Sequence, residues 1–161
     1  MVHELGRTLS PAHGIGSTLT ATHFTGGRMV VLHVGDSSLF RWRDGKLAAL
    51  TLDHNVGNEI RQRLARGETV DNFPRNRSAL TRCIGQPPPL LGDITAQLVQ
   101  VGDRYLLCSD GVTRALPLPE IGQLLGEQAE PADLCQHLVA RANQGGGMDN
   151  ATAVVIDLGL L

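Results

Sequence analysis

Aromatic side chains are nearly missing from this chain, making up 3 % of it, with one Trp and one Tyr. A core built without them must rely on Leu, Val, Ile and Ala. Cysteine is scarce as well. Cys83, Cys108 and Cys135 are odd in number and show no CxxC spacing. They fit reduced structural thiols of a cytoplasmic protein better than a disulfide scaffold or a zinc site. Long apolar runs are absent, so no membrane span is expected, and the opening MVHELGRTLSPAHG carries no signal-peptide core. Neither charge sign is in strong excess. A net charge of -2 argues against a nucleic-acid or anionic-membrane footprint. The six histidines have neither HxxxH nor HxH spacing. His23 and His33 are expected as hydrogen-bonded strand residues and His54 as a turn residue.

What is present is ordinary in bulk. The 161 residues suit one domain spanning 1–161, and 42 % apolar with 19 % charged residues is a globular composition. Residues 1–16 hold three glycines and a proline without periodicity and read as an irregular lead-in. STLTATHF and RMVVLHV read as strands. SLFRWRDGKLAAL reads as a hairpin turning at Asp44-Gly45. Residues 56–66 predict a short amphipathic helix stopped by Gly67. Residues 68–89 read as a long polar loop region, with Asn72, Arg75 and Arg77, interrupted by a short strand at SALTRCI; loops of this length are usually functional or mobile. DITAQLVQV and RYLLCS predict two more strands. PLPEIGQLLGE and PADLCQHLVARANQ predict helices, with Pro119 and Pro131 near their starts. ATAVVIDL is a final buried strand. Strands joined by hairpins, with clustered helices, point to an α+β protein.

Three acids share one placement. Asp36 follows VVLHVG, Asp110 follows YLLCS, and Asp149 precedes NATAVVI, each at the edge of an apolar strand beside a small residue. Two readings stay open on pattern alone. Asp-Gly and Asp-Ser are common turn formers. Carboxylates gathered at strand ends also suit a hard divalent cation, which offsets their mutual repulsion and can activate water.

Five segments, in order, decide between them: GIGSTLTA, VLHVGDSSLFRWRDGKLAALTLDHN, RNRSALTRCIG, LLCSDGVTRAL and GGMDNATAVVI. Together they resemble the PPM-type (type 2C) metal-dependent protein serine/threonine phosphatases. The resemblance implies a layered α-β-β-α sandwich of two antiparallel sheets flanked by helices, with metals in a cleft at one end. It implies Asp110 and Asp149 as metal ligands and Asp36 as the acid supporting a third, looser metal. Ser109, Gly111 and Asn150 support them, with Asn150 orienting its loop. The polar 68–77 stretch corresponds to a substrate-selecting flap. Mg²⁺ or Mn²⁺ is the implied cofactor, with two or more ions in the family and a smaller number also open here. The implied substrate is a phosphoserine or phosphothreonine protein.

The resemblance is incomplete. The family's early Asn-Glu-Asp and Asp-Gly-x-Gly-Gly segments, with the metal-bridging aspartate and a phosphate-binding arginine, have no match in this sequence. Ser38 stands where the family has an arginine, and Arg114 stands where it has an acid. Two expectations follow. One is a phosphatase. The alternative is a catalytically weak or inactive relative acting as a binding or regulatory module. Either way, the surface of the missing strands is expected to be covered by a partner chain, a second copy or rearranged N-terminal residues.

Overall fold

Among the described residues the chain forms α1 (Val2–Leu9), β1 (Leu19–Thr25), β2 (Arg28–Val34), β3 (Ser38–Arg43), β4 (Lys46–Ala49), α2 (Val56–Ala65), β5 (Asp93–Leu98), β6 (Arg104–Cys108), α3 (Asp110–Ala115), α4 (Leu118–Leu125), α5 (Pro131–Gln144) and β7 (Ala153–Asp157). The computed structural model describes residues 1–12, 14–71, 74–147 and 149–159. Asn72 of the loop region and Met148 of the GGMDN segment lie outside them. The strands form two antiparallel sheets, in the orders β1-β2-β5 and β4-β3-β6-β7. The α+β class is as expected. No helix is long and apolar enough to cross a membrane.

Two compact units divide the chain. The first comprises Met1–Thr22, Val31–Asp36 and Leu52–Thr95. Its N-terminal stretch corrects the expected irregular lead-in. Residues 2–9 are helical, with Glu4 in the first turn and Arg7 in the last, signs that suit the helix dipole. Gly6, one of the three glycines of that stretch, is a contact point. It is buried, and a β-carbon there would come 2.9 Å from the backbone nitrogen of Ile15. Helix α2 matches its prediction and starts at Asn55, whose side chain accepts from the Asn58 N–H at 2.9 Å. The strand expected at SALTRCI does not form. Leu80 and Ile84 make only isolated bridges, to Asn55 and Ser17, so no ladder builds up between them.

The second unit comprises His23–Val30, Ser37–Thr51 and Ala96–Leu161. Asp44 and Gly45 both take positive φ, 50° and 74°, closing the two-residue turn between β3 and β4. In register, Phe40 pairs with Leu106 and Leu106 with Val155, so one row of alternate residues faces the helices. There it meets Val112, Ile121, Leu125, Leu134 and Leu138, all fully buried. Leu134, Leu138 and Ala142 are four apart, the single apolar stripe of α5. On the opposite row Leu39 and Tyr105 are buried, and Tyr105 meets the Phe24 ring edge-on at 5.5 Å.

Two polar knots hold this unit together. Asp103, buried, accepts from Arg43, from the Gln100 N–H at 2.9 Å and from the Tyr105 hydroxyl at 2.8 Å. Burial pushes the Asp103 carboxyl up, but Arg43 and the other two donors outweigh it and hold the pKa at about 2. Burial and the adjacent carboxylate push the Tyr105 phenol up. Arg104 pairs with Asp157 (Nη2–Oδ2 2.7 Å) and also donates to the carbonyls of Leu125, Glu127 and Ala129.

Candidate metal centre

Strand β6 stops at Cys108, paired with Ala153, and the ladder runs one step further as the Ser109 N–H donates to the Thr152 carbonyl at 3.0 Å. The Ser109 hydroxyl donates to the Asn150 carbonyl at 3.2 Å and accepts from the Thr152 N–H at 3.0 Å. This one side chain ties the end of β6 to the segment leading into β7. The chain then turns at once into α3, a helix that the strand-end reading of LLCSDGVTRAL did not include. Its first residue is Asp110. Gly111 follows because the backbone beside it leaves no room: a β-carbon there would lie 2.3 Å from the Asn150 carbonyl oxygen.

Asp149 comes from the other side of this contact. Its Oδ1 accepts from the Asn150 N–H at 2.8 Å, which turns the carboxylate back toward its own backbone. The Asn150 contributions are made through its main chain. Asp110 and Asp149 then converge on one atom. Arg114 Nη1 lies 3.2 Å from Asp110 Oδ2 and 3.6 Å from Asp149 Oδ2. Asp110 is 30 % exposed, Asp149 47 % and Arg114 51 %. A cleft of about 380 Å³ opens here, lined by Gly111, Arg114, Ala115, Gly145 and Asp149.

The donor set can be tested against a divalent ion. Two carboxylates that already share one cationic group, both partly open to water, suit a single hard cation completed by water ligands. Among the described residues no group of three or more His, Cys, Asp or Glu is placed to hold a metal. The donor chemistry of the pair is that of a hard divalent cation. Asp36 is half-buried in the bend between β2 and β3 and belongs to the first unit.

The first unit has its own polar cluster, which the sequence reading missed in treating His54 as a turn residue. His33 Nε2 donates to the Leu52 carbonyl at 3.1 Å, and its Nδ1 takes the Thr20 hydroxyl at 2.9 Å. His54 Nδ1 accepts the Gly35 N–H at 3.1 Å, so its Nε2 donates to Asp93 Oδ2 at 3.1 Å. Arg82 donates to the other Asp93 oxygen at 2.7 Å. The two imidazoles are 4.7 Å apart. Burial, and then the neighbouring His54, push the His33 pKa down. Burial pushes the Asp93 carboxyl up, but His54 and Arg82 bring it below its usual range.

Known proteins share this arrangement of elements. The PPM Ser-Thr phosphatase MsPP from Mycobacterium smegmatis, solved with cacodylate, is 34 % identical with a TM-score of 0.80, over 96 % of this chain and 68 % of its own. The chain belongs to the PPM serine/threonine phosphatase family. The catalytic domain of the phosphatase PstP, solved with two manganese ions, is 30 % identical with a TM-score of 0.82, over 99 % of this chain and 66 % of its own. A protein phosphatase 2C-type protein of Streptococcus pyogenes is 30 % identical over 128 residues, 79 % of this chain and 52 % of its own length. The chain thus spans about half of that PPM relative and about two thirds of the two solved structures. No family model matches it.

Proposed function

We propose that this chain serves in metal-dependent dephosphorylation of phosphoserine and phosphothreonine side chains in proteins. The observation that carries the reading is the meeting of Asp110 and Asp149 on a single cationic nitrogen. Asp110 and Asp149 are the proposed ligands of Mg²⁺ or Mn²⁺, and Asp36 the acid of an accessory site. When bound, the metal supplies an activated water and neutralises charge on the phosphoryl group. The chain's own residues supply position. Ser109 locks the end of β6 to the 150–152 segment, Gly111 lets α3 approach it, and the Asn150 N–H orients the Asp149 carboxylate. Family membership supports this reading, as do the manganese ions of PstP.

The same reading takes residues 1–161 as one PPM-type domain working in the cytoplasm, with 68–89 as its flap against the phosphoprotein. It also takes a partner chain or second copy to cover exposed apolar side chains such as Leu91 and Ile94. A monodisperse monomer in light scattering, with no binding of an apolar dye, would rule out that covering.

The deciding experiment is hydrolysis of p-nitrophenyl phosphate by the full chain with and without millimolar Mn²⁺, beside Asp110→Asn. Turnover that requires Mn²⁺ and disappears in the variant is the expected result. Absence of Mn²⁺-dependent turnover, or turnover unchanged in the variant, rejects phosphatase activity for this chain.

A further inference from the structure

We infer that Arg114 is a built-in competitor for the cation site formed by Asp110 and Asp149, so that the divalent ion binds only by displacing its guanidinium. The inference rests on the metal-centre reading above.

Position and charge carry it. Arg114 lies one helical turn beyond Asp110 on α3, the spacing at which side chains meet. Its Nη1 reaches Asp110 Oδ2 and Asp149 Oδ2 together, at 3.2 and 3.6 Å, so it draws on the oxygens that a metal would need. A second cation on those oxygens meets both the occupied lone pairs and the repulsion of a like charge. The sequence resemblance puts an acid at this position. With an acid, the three side chains would carry a formal charge of -3, whereas with Arg114 they carry -1. The two carboxylates therefore have a counter-ion before any metal arrives.

The competition is reversible. Arg114 is half exposed, and ion pairs of that kind are weak because water solvates the released group well. Its long side chain can swing outward while the helix stays in place. Arg114 acts on the metal through Asp110 and Asp149 and is a positioning residue, not a ligand.

The test is Mn²⁺ binding to the full chain, by titration calorimetry and by the loss of free-Mn²⁺ paramagnetic resonance signal. Arg114→Ala should tighten binding by about five-fold, the scale of a pair of partly exposed ion pairs. Arg114→Glu, which restores an acid, should tighten it further, and Arg114→Lys should stay near the parent. Melting in EDTA gives a metal-free readout: Arg114→Ala should melt lower than the parent and gain more on adding Mn²⁺. Parent-like affinity in both Arg114→Ala and Arg114→Glu, with binding still weakened by Asp110→Asn, overturns the competition and leaves the metal centre standing. Binding indifferent to Asp110→Asn, or no binding by any variant, overturns the metal centre and the competition with it.

Discussion

Gly111 packs backbone to backbone against Asn150, closely enough that a β-carbon at position 111 would sit 2.3 Å from the Asn150 carbonyl oxygen. This contact sets the spacing between the helix that carries Asp110 and the segment that carries Asp149. In Gly111→Ala one of the two must move, at a cost of about 1–3 kcal/mol. The expected outcome is a lower melting temperature in calorimetry together with weaker Mn²⁺ binding. Unchanged Mn²⁺ affinity would show that the two acids are not spaced by this contact.

Core truncation should separate stability from the site. Leu138 is fully buried on α5, among the residues packed against β6 and β7. Leu138→Ala should destabilise by about 2–5 kcal/mol through lost burial and the cavity left behind. Urea unfolding measures this, with Mn²⁺ affinity at low temperature expected to stay at the parent value.

Mild acid should weaken the fold through His33. Its pKa is lowered in the folded chain, so the unfolded chain binds the proton more readily. The contribution of neutral His33 is complete above its ordinary value of 6.5 and declines as pH falls below it. The groups around it are His54, Asp93 and Asp53, with the two acids partly opposing the drop. Melting temperature should therefore fall between pH 7 and pH 5. His33→Gln should flatten that slope, and an unchanged slope would assign it to other groups.

Asp103 should act at much lower pH. Its carboxyl is held at about 2, below the ordinary 3.8. Its stabilisation is therefore present above pH 3.8 and lost as pH falls through 2, an amount of about 2 kcal/mol. Arg43→Met leaves this buried carboxylate without its charged partner and should lower stability at pH 7. Denaturant midpoints at pH 7 and pH 2.5 check both statements, since the difference between parent and variant should shrink in acid.

Much of this architecture is legible in the sequence because the signals are local. Prolines at the starts of α4 and α5, leucines four apart, and Asp44-Gly45 in a turn each act within a few residues. The pairing of Asp110 with Asp149 follows only from the family resemblance, because β6 and β7 are neighbours in the sheet but far apart in the chain. What stays hidden depends on partners distant in the chain. Residues 1–16 read as irregular until Ile15 is seen packed against Gly6 of the helix. His54 reads as a turn residue until Asp93, 39 positions away, is seen to accept its hydrogen bond. Arg114 reads as a lost acid, because the sequence does not show that its side chain reaches both carboxylates at once.

Arg104 carries a consequence for how the second unit holds together. Helix α4 ends at Gly126 with φ -80°, without the left-handed glycine that commonly closes a helix. A strand arginine, 21 to 25 residues away, supplies donors to the carbonyls of Leu125, Glu127 and Ala129 instead. Arg104 thus joins the end of α4 to β6, and Asp157 ties the same guanidinium to β7. One side chain anchors a helix end and two strands, so Arg104→Met should loosen all three together.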